Sequence, residues 1–239
     1  MGKRTASALL FLFIVTKLPA VEQDPEEVRK AVHGYLVKKG GPSQMSQMPN
    51  QSPISWCQKQ YDAAAKTKDP KALYRLVDSH LLRAGELFKS KKKEDHYTAF
   101  GMVIAAGLCS ADRLKDKGLT IGVADAYLMP NLGLAHESDQ NYLCKQNLLT
   151  YALAFYGQSG ADQKYITGYK SLLEIAVARG DDNTADAARL KLSEALLKQG
   201  ELHEALQHLQ SVDPRGSLST GATQLIAKVR KAIEAKKPK

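Results

Sequence analysis

Apolar residues in this chain return at every third or fourth position, and they do so behind repeated helix-start signals. Asp24-Pro25-Glu26-Glu27, Ser52-Pro53 and Asp69-Pro70 each set an oxygen-bearing side chain ahead of a proline. The side chain can accept from an orphan N–H, and proline loses nothing at the first helical position because its N–H would be unpaired there. Glu27 adds the acidic residue of a capping box. One stripe runs Ile54, Cys57, Tyr61 and Ala64/Ala65; the next runs Leu73, Leu76, Val77, His80, Ala84, Leu87 and Phe88. Later stripes are Cys144, Leu148, Ala152, Phe155 and then Tyr165, Tyr169, Leu172, Leu173, Ala176. All follow the spacing of one helix face, and no sustained period-two run is present. The expected fold class is all-α, an array of antiparallel helical hairpins with about eight or nine helices and short connections.

Thr98 to Cys109 departs from the striped pattern. It is apolar on every side, with Gly101, Ala105, Ala106 and Gly107 among larger residues. A helix apolar all round is buried all round, and this one falls well short of the ~20 residues that cross a bilayer. It is expected to be the central helix. Gly40 to Ser52 is rich in Gly, Pro, Ser and Gln, without charge or periodicity, which reads as a flexible linker. The expected order is therefore a helix over 21–39, a linker over 40–52, an all-helical repeat-like domain over 53–235 and a basic tail over 236–239. With 239 residues, 44% of them hydrophobic, the chain can bury a core without metal or disulfide staples.

The N-terminus carries a targeting pattern. Met1 to Ser7 is short and basic, Ala6 to Val15 is almost wholly apolar, and Leu18-Pro19-Ala20 follows. A basic start, a short apolar core and a small residue beyond it make a secretory signal peptide. Cleavage is expected between Ala20 and Val21, with Leu18 at the third position before the cut. The formal charge is +9, and Lys3, Arg4 and Lys17 leave with the signal. Much of the remaining excess lies beyond Lys228, where Glu234 is the sole acidic residue. The expected localisation is periplasmic or extracellular, with no stable membrane span after cleavage.

The segment 186–214 resembles a tetratricopeptide repeat. Leu192 and Leu196 stand eight and four residues before Gly200, while Ala205 and Leu209 stand five and nine after it. That is the family's order of first-helix apolar residues, hinge glycine, small residue and large apolar residue. Gly200 can take the left-handed conformation that ends a helix, and Ala205 lets a second helix approach the first. A weaker copy over 146–180 uses Gly160 as its hinge, with Tyr156 before it and Tyr165 and Tyr169 after it. The two glycines stand 40 residues apart, against 34 in that family, and Pro214 shortens the second helix. The resemblance implies stacked helical hairpins that bind peptides or proteins on a concave face.

No catalytic set emerges. Cys57, Cys109 and Cys144 show no zinc spacing; they read as small buried hydrophobes, with one disulfide as the alternative in an oxidising compartment. His80, on an apolar stripe, reads as a core histidine. His203 and His208 fall on different faces of a helix, and His96 follows Glu94-Asp95 without sharing their direction. Gly118 to Gly122 lacks the glycine pattern of a phosphate loop. Lys89 to Lys93 and the lysine-rich tail read as solvated helix ends. Tyr151, Phe155, Tyr156, Tyr165 and Tyr169 flank the turn at 157–162 and read as hairpin core. The expected function is an exported, non-catalytic module for a protein or peptide partner, with no cofactor, no metal and no nucleic acid. The alternative is a small-ligand binder or enzyme whose inter-helix site draws on residues far apart in sequence.

Overall fold

The computed structural model describes residues 24–47, 52–67, 69–135 and 144–236. The expected signal segment, with Ala20 and Val21, lies outside the described residues, as do 48–51 and 237–239. Every regular element described is helical: α1 (Pro25–Gly40), α2 (Pro53–Lys66), α3 (Pro70–Phe88), α4 (Lys93–Leu108), α5 (Lys117–Val123), α6 (Lys145–Ser159), α7 (Asp162–Arg179), α8 (Asp182–Gln199), α9 (Leu202–Gln210) and α10 (Ser219–Ala235). The all-α array is as expected, with ten α-helices among the described residues. No helix among them is long and apolar enough to cross a membrane. The chain forms two compact units that divide between Ala161 and Asp162. The expected single domain over 53–235 is thus split, and α1 belongs with the first unit.

In the first unit α4 is the central helix that its composition predicts. Ala99 to Gly107 are all buried, and α4 packs against α2, α3, α5 and α6. Its glycines mark the closest approaches. A Cβ on Gly101 would lie 2.8 Å from the Pro53 ring, and one on Gly107 would overlap the Phe155 ring. α1 buries Val28, Val32, Leu36 and Gly40, one residue per turn. The caps at Asp24 and Asp69 form, accepting from Glu26 N at 3.0 Å and Lys71 N at 2.9 Å. Glu27 pairs with Lys30 at 3.1 Å, and Ser52 makes no side-chain cap bond. Beyond α4 the chain widens into a π-helical turn, Cys109–Arg113, and closes at Lys115 with φ 50°. A second π-helical turn, Ala124–Leu128, follows α5.

Residues 41–47 hold no helix, as the linker composition predicts, but they form a strap fastened along α3. Arg75 Nη1 donates to Gly40 O at 2.7 Å, Arg83 Nε donates to Ser46 O at 2.7 Å, and Ser46 N donates to Ser79 O at 3.2 Å. Ser43 donates its hydroxyl to the buried Asp78 carboxylate. The fastening groups lie on α3, so the linker's own residues do not announce it.

The second unit is α7 to α10, each helix packed on the next, with α10 also against α8. Gly180 (φ 67°) and Gly200 (φ 82°) end α7 and α8 in the left-handed conformation. Asp181 N and Glu201 N then donate back to Ala176 O and Leu196 O, both at 2.9 Å, the long-range bond of a Schellman ending. Leu192, Leu196, Leu202, Ala205, Leu209, Leu225 and Val229 form the core. Ser193, fully buried, donates to Arg189 O at 2.7 Å and lies 3.1 Å from Ala205 O, where α8 meets α9. α7 and α8 have 18 residues each and two-residue turns, so a hairpin occupies 40 residues. α9 stops after nine residues, at Gln210, consistent with the early Pro214.

Candidate functional site

The exposed face of the second unit is built from helix periodicity. With Ala185, Ala188, Leu192 and Leu196 turned inward, α8 leaves Asn183, Ala187, Lys191, Glu194 and Lys198 exposed, one per turn. α10, which packs directly against α8, exposes Thr220, Gln224, Lys228 and Lys231. Lys191 and Glu194 pair at 3.0 Å. α7 and α9 are joined by a Lys170–Glu204 ion pair at 2.7 Å. Alternate helices are therefore neighbours in pairs, α7 with α9 and α8 with α10, as in a stacked array. At one end Asp186, buried, binds Arg189 at 2.7 Å and accepts from Asp213 N at 3.1 Å, which closes the loop after α9.

His80 is fully buried in the first unit. Its Nε2 donates to Gln60 Oε1 at 3.3 Å and its Nδ1 accepts from Tyr61 Oη at 2.7 Å. Burial holds the imidazole neutral down to about 4. It lines neither of the two depressions on this unit described below and has no open nitrogen. Cys57 and Cys109 are buried and Cys144 is half-buried; all three are free thiols. Burial pushes the Cys57 and Cys109 thiols up to about 12. No group of three His, Cys, Asp or Glu side chains that could hold a metal occurs among the described residues. His96 Nε2 donates to Ser90 O at 2.7 Å, while His208 lies 3.7 Å from Glu204. The aromatic set is divided between the two units. Phe155 and Tyr156 are buried in the first unit, whereas Tyr165 and Tyr169 stack edge to face at 4.7 Å against the core of the second. Gly160 does take the left-handed turn expected of it, but the weaker repeat copy straddles the division between units.

Sequence reasoning passed over two aspartates, the buried Asp78 and the half-buried Asp116. Asp78 accepts from His33 Nδ1 at 2.7 Å and from Ser43. Asp116 takes both Tyr35 Oη at 2.6 Å and Tyr74 Oη at 3.0 Å on one oxygen, and caps α5 through Leu119 N on the other. Burial first, then the neighbouring carboxylate, raises both tyrosine pKa values, so these hydroxyls remain donors. In the Ser43–Asp78–His33 chain the carboxylate is central. The histidine never reaches the serine, so the hydroxyl gains no imidazole base as in a hydrolase triad. A signal was present for Asp78 alone, as an acidic residue directly after Val77 on the apolar stripe of α3.

Two open depressions mark the first unit. One of about 190 Å³ lies among Arg29, His33, Leu81, Gly85 and Tyr127, and its cations Arg29, Lys30 and Lys89 each pair with a glutamate three residues away. The other, about 480 Å³, lies among Ala65, Asp69, Pro70, Leu73, Tyr74, Arg113 and Leu114. No family model, curated protein or solved structure matches the chain, so its chemistry is read from its own geometry.

Proposed function

We propose that this is an exported, non-catalytic helical-repeat protein whose second unit, tetratricopeptide-like in design, binds a protein or peptide. The observation that carries the reading is the stacking of α7 to α10 around left-handed glycine turns, with an exposed row of Asn183, Ala187, Lys191, Glu194 and Lys198 facing outward beside α10. Such a row offers small, amide and charged side chains at successive turns, which suits an extended peptide. The Leu192–Leu196–Gly200–Ala205–Leu209 pattern supports the tetratricopeptide reading, because each of its apolar members is buried as that design requires. Export is supported by the basic start and the apolar core Ala6 to Val15.

Parallel affinity capture from the exported fraction tests the binding reading, using the wild-type chain and an A187R/K191E variant as baits. A protein enriched by the wild type and lost with the variant supports it. No specific enrichment, or enrichment indifferent to the variant, overturns it. N-terminal sequencing of the exported protein tests the localisation, with Val21 the expected first residue and an intact Met1 the contrary result.

A further inference from the structure

The 480 Å³ depression of the first unit falls in the size range of small-molecule sites, roughly 300–1,000 Å³. It sits where three elements converge: the last turn of α2, the first turn of α3, and Arg113 and Leu114 at the end of the π-helical turn. Its floor is apolar, made by Ala65, Pro70, Leu73 and Leu114 with the Tyr74 ring. Among the described residues its charged groups are Arg113 and Asp69. Single π turns and non-glycine residues at positive φ are uncommon and cluster at functional positions; here Cys109–Arg113 and Lys115 supply both beside the depression.

The commitments of the two charges decide what the depression can take. Asp69 accepts from Lys71 N at 2.9 Å as the cap of α3 and pairs with Arg75 at 3.3 Å, and the same Arg75 holds the strap at Gly40 O. Recruiting Asp69 to a cation would therefore undo a helix cap and loosen the strap. Among the described residues Arg113 pairs with Asp62, and both side chains are more than a third exposed. An exposed pair of this kind adds little to stability, so an incoming carboxylate can take Asp62's place at little cost. Tyr74 Oη already donates to Asp116 and offers no proton to a ligand. The geometry points to a binding site for a small apolar monocarboxylate, its acid on Arg113 and its apolar body over Leu73 and Leu114. This site lies wholly in the first unit, so its fate is independent of the peptide-binding reading.

Octanoate, octan-1-ol and octylamine, matched in their apolar chains, are the probes. Each is titrated into the full chain, with amide chemical shifts as the readout. Octanoate binds at least tenfold more tightly than the alcohol and the amine, with shifts centred on Leu73, Tyr74 and Leu114. Arg113→Met removes that preference, Arg113→Lys retains part of it, and Ala65→Trp fills the floor and abolishes binding of all three. A circular dichroism melt confirms that each variant is folded. No saturable octanoate shift at these residues overturns the proposal. So does an affinity no greater than that of octan-1-ol or octylamine, or binding unchanged in both Arg113→Met and Ala65→Trp.

Discussion

A buried histidine and two buried thiols illustrate how far burial alone sets chemistry in this protein. His80 stays neutral in the folded chain down to about 4, whereas an unfolded histidine takes its proton near 6.5. Between those values the unfolded state binds more protons, so this residue's share of stability is complete above pH 6.5 and lost as the pH falls to 4. The span corresponds to about 3 kcal/mol. In urea titrations from pH 7 to 4, His80→Gln should flatten the acid loss by up to that amount relative to wild type; parallel curves would contradict it. The thiols respond the same way to their surroundings. Cys57 and Cys109 are buried and their pKa values lie near 12, so little thiolate forms at neutral pH. A thiol reagent at pH 8 should label Cys144 first in the native protein and all three after denaturation. A total below three in the denatured, unreduced chain would reveal a disulfide. The sequence placed His80, Cys57 and Cys109 on apolar stripes or in the apolar helix, and that was enough to read them as buried core residues; Cys144, read the same way, is half-buried. That placement was not enough to find Asp78 or Asp116, because the side chains that hydrogen-bond to them lie 35 to 81 residues away.

Among the elements, the helices were legible wherever one face is apolar and an end carries a cap. Asp24 and Asp69 cap as read, and α4 is buried as its composition requires. The strap over 41–47 was not legible as ordered structure, because Arg75, Ser79 and Arg83 supply its anchors from another element. Gly180 was overlooked although its signal was present: Gly160, Gly180 and Gly200 recur at 20-residue intervals, and the middle one resolves the 40-residue spacing into two equal helices. Glycine serves differently at different helix positions, and two substitutions separate the roles. Gly34 sits exposed inside α1 and Gly180 sits at a left-handed helix end, and neither has an atom within 4 Å of an added Cβ. Gly34→Ala should stabilise by about 0.5–1 kcal/mol through lost chain entropy. Gly180→Ala should destabilise by about 1–2 kcal/mol through backbone strain. Chemical denaturation of the two variants would show opposite shifts in midpoint; shifts of the same sign would remove the conformational explanation.

For the molecule as a whole, the two units own separate cores, one around Phe100, Ile104 and Phe155 and the other around Leu192, Leu196 and Leu225. The sequence did not reveal this division, because helical stripes run on either side of Gly160 without a composition change. Two cores imply two unfolding steps. Gly107→Ala, which drives a methyl group into the Phe155 ring, should cost about 1–3 kcal/mol in the first unit. Leu196→Ala should cost about 2–5 kcal/mol in the second. Residue-resolved hydrogen exchange in denaturant should show each variant weakening its own unit and leaving the other near wild type. Equal weakening of both would mean that the chain unfolds as one.

The evenly spaced turns at Gly180 and Gly200 also set a rule for how the second unit can lengthen. A single inserted residue inside α8 would rotate everything after it by about 100° and aim Leu196 away from its partners. Twenty residues inserted with their glycine would keep every face aligned but reverse the direction of the chain. Forty would restore both. Growth in this part of the protein is therefore counted in whole hairpins, and a duplicated stretch of 162–201 is the smallest addition that its packing would accept.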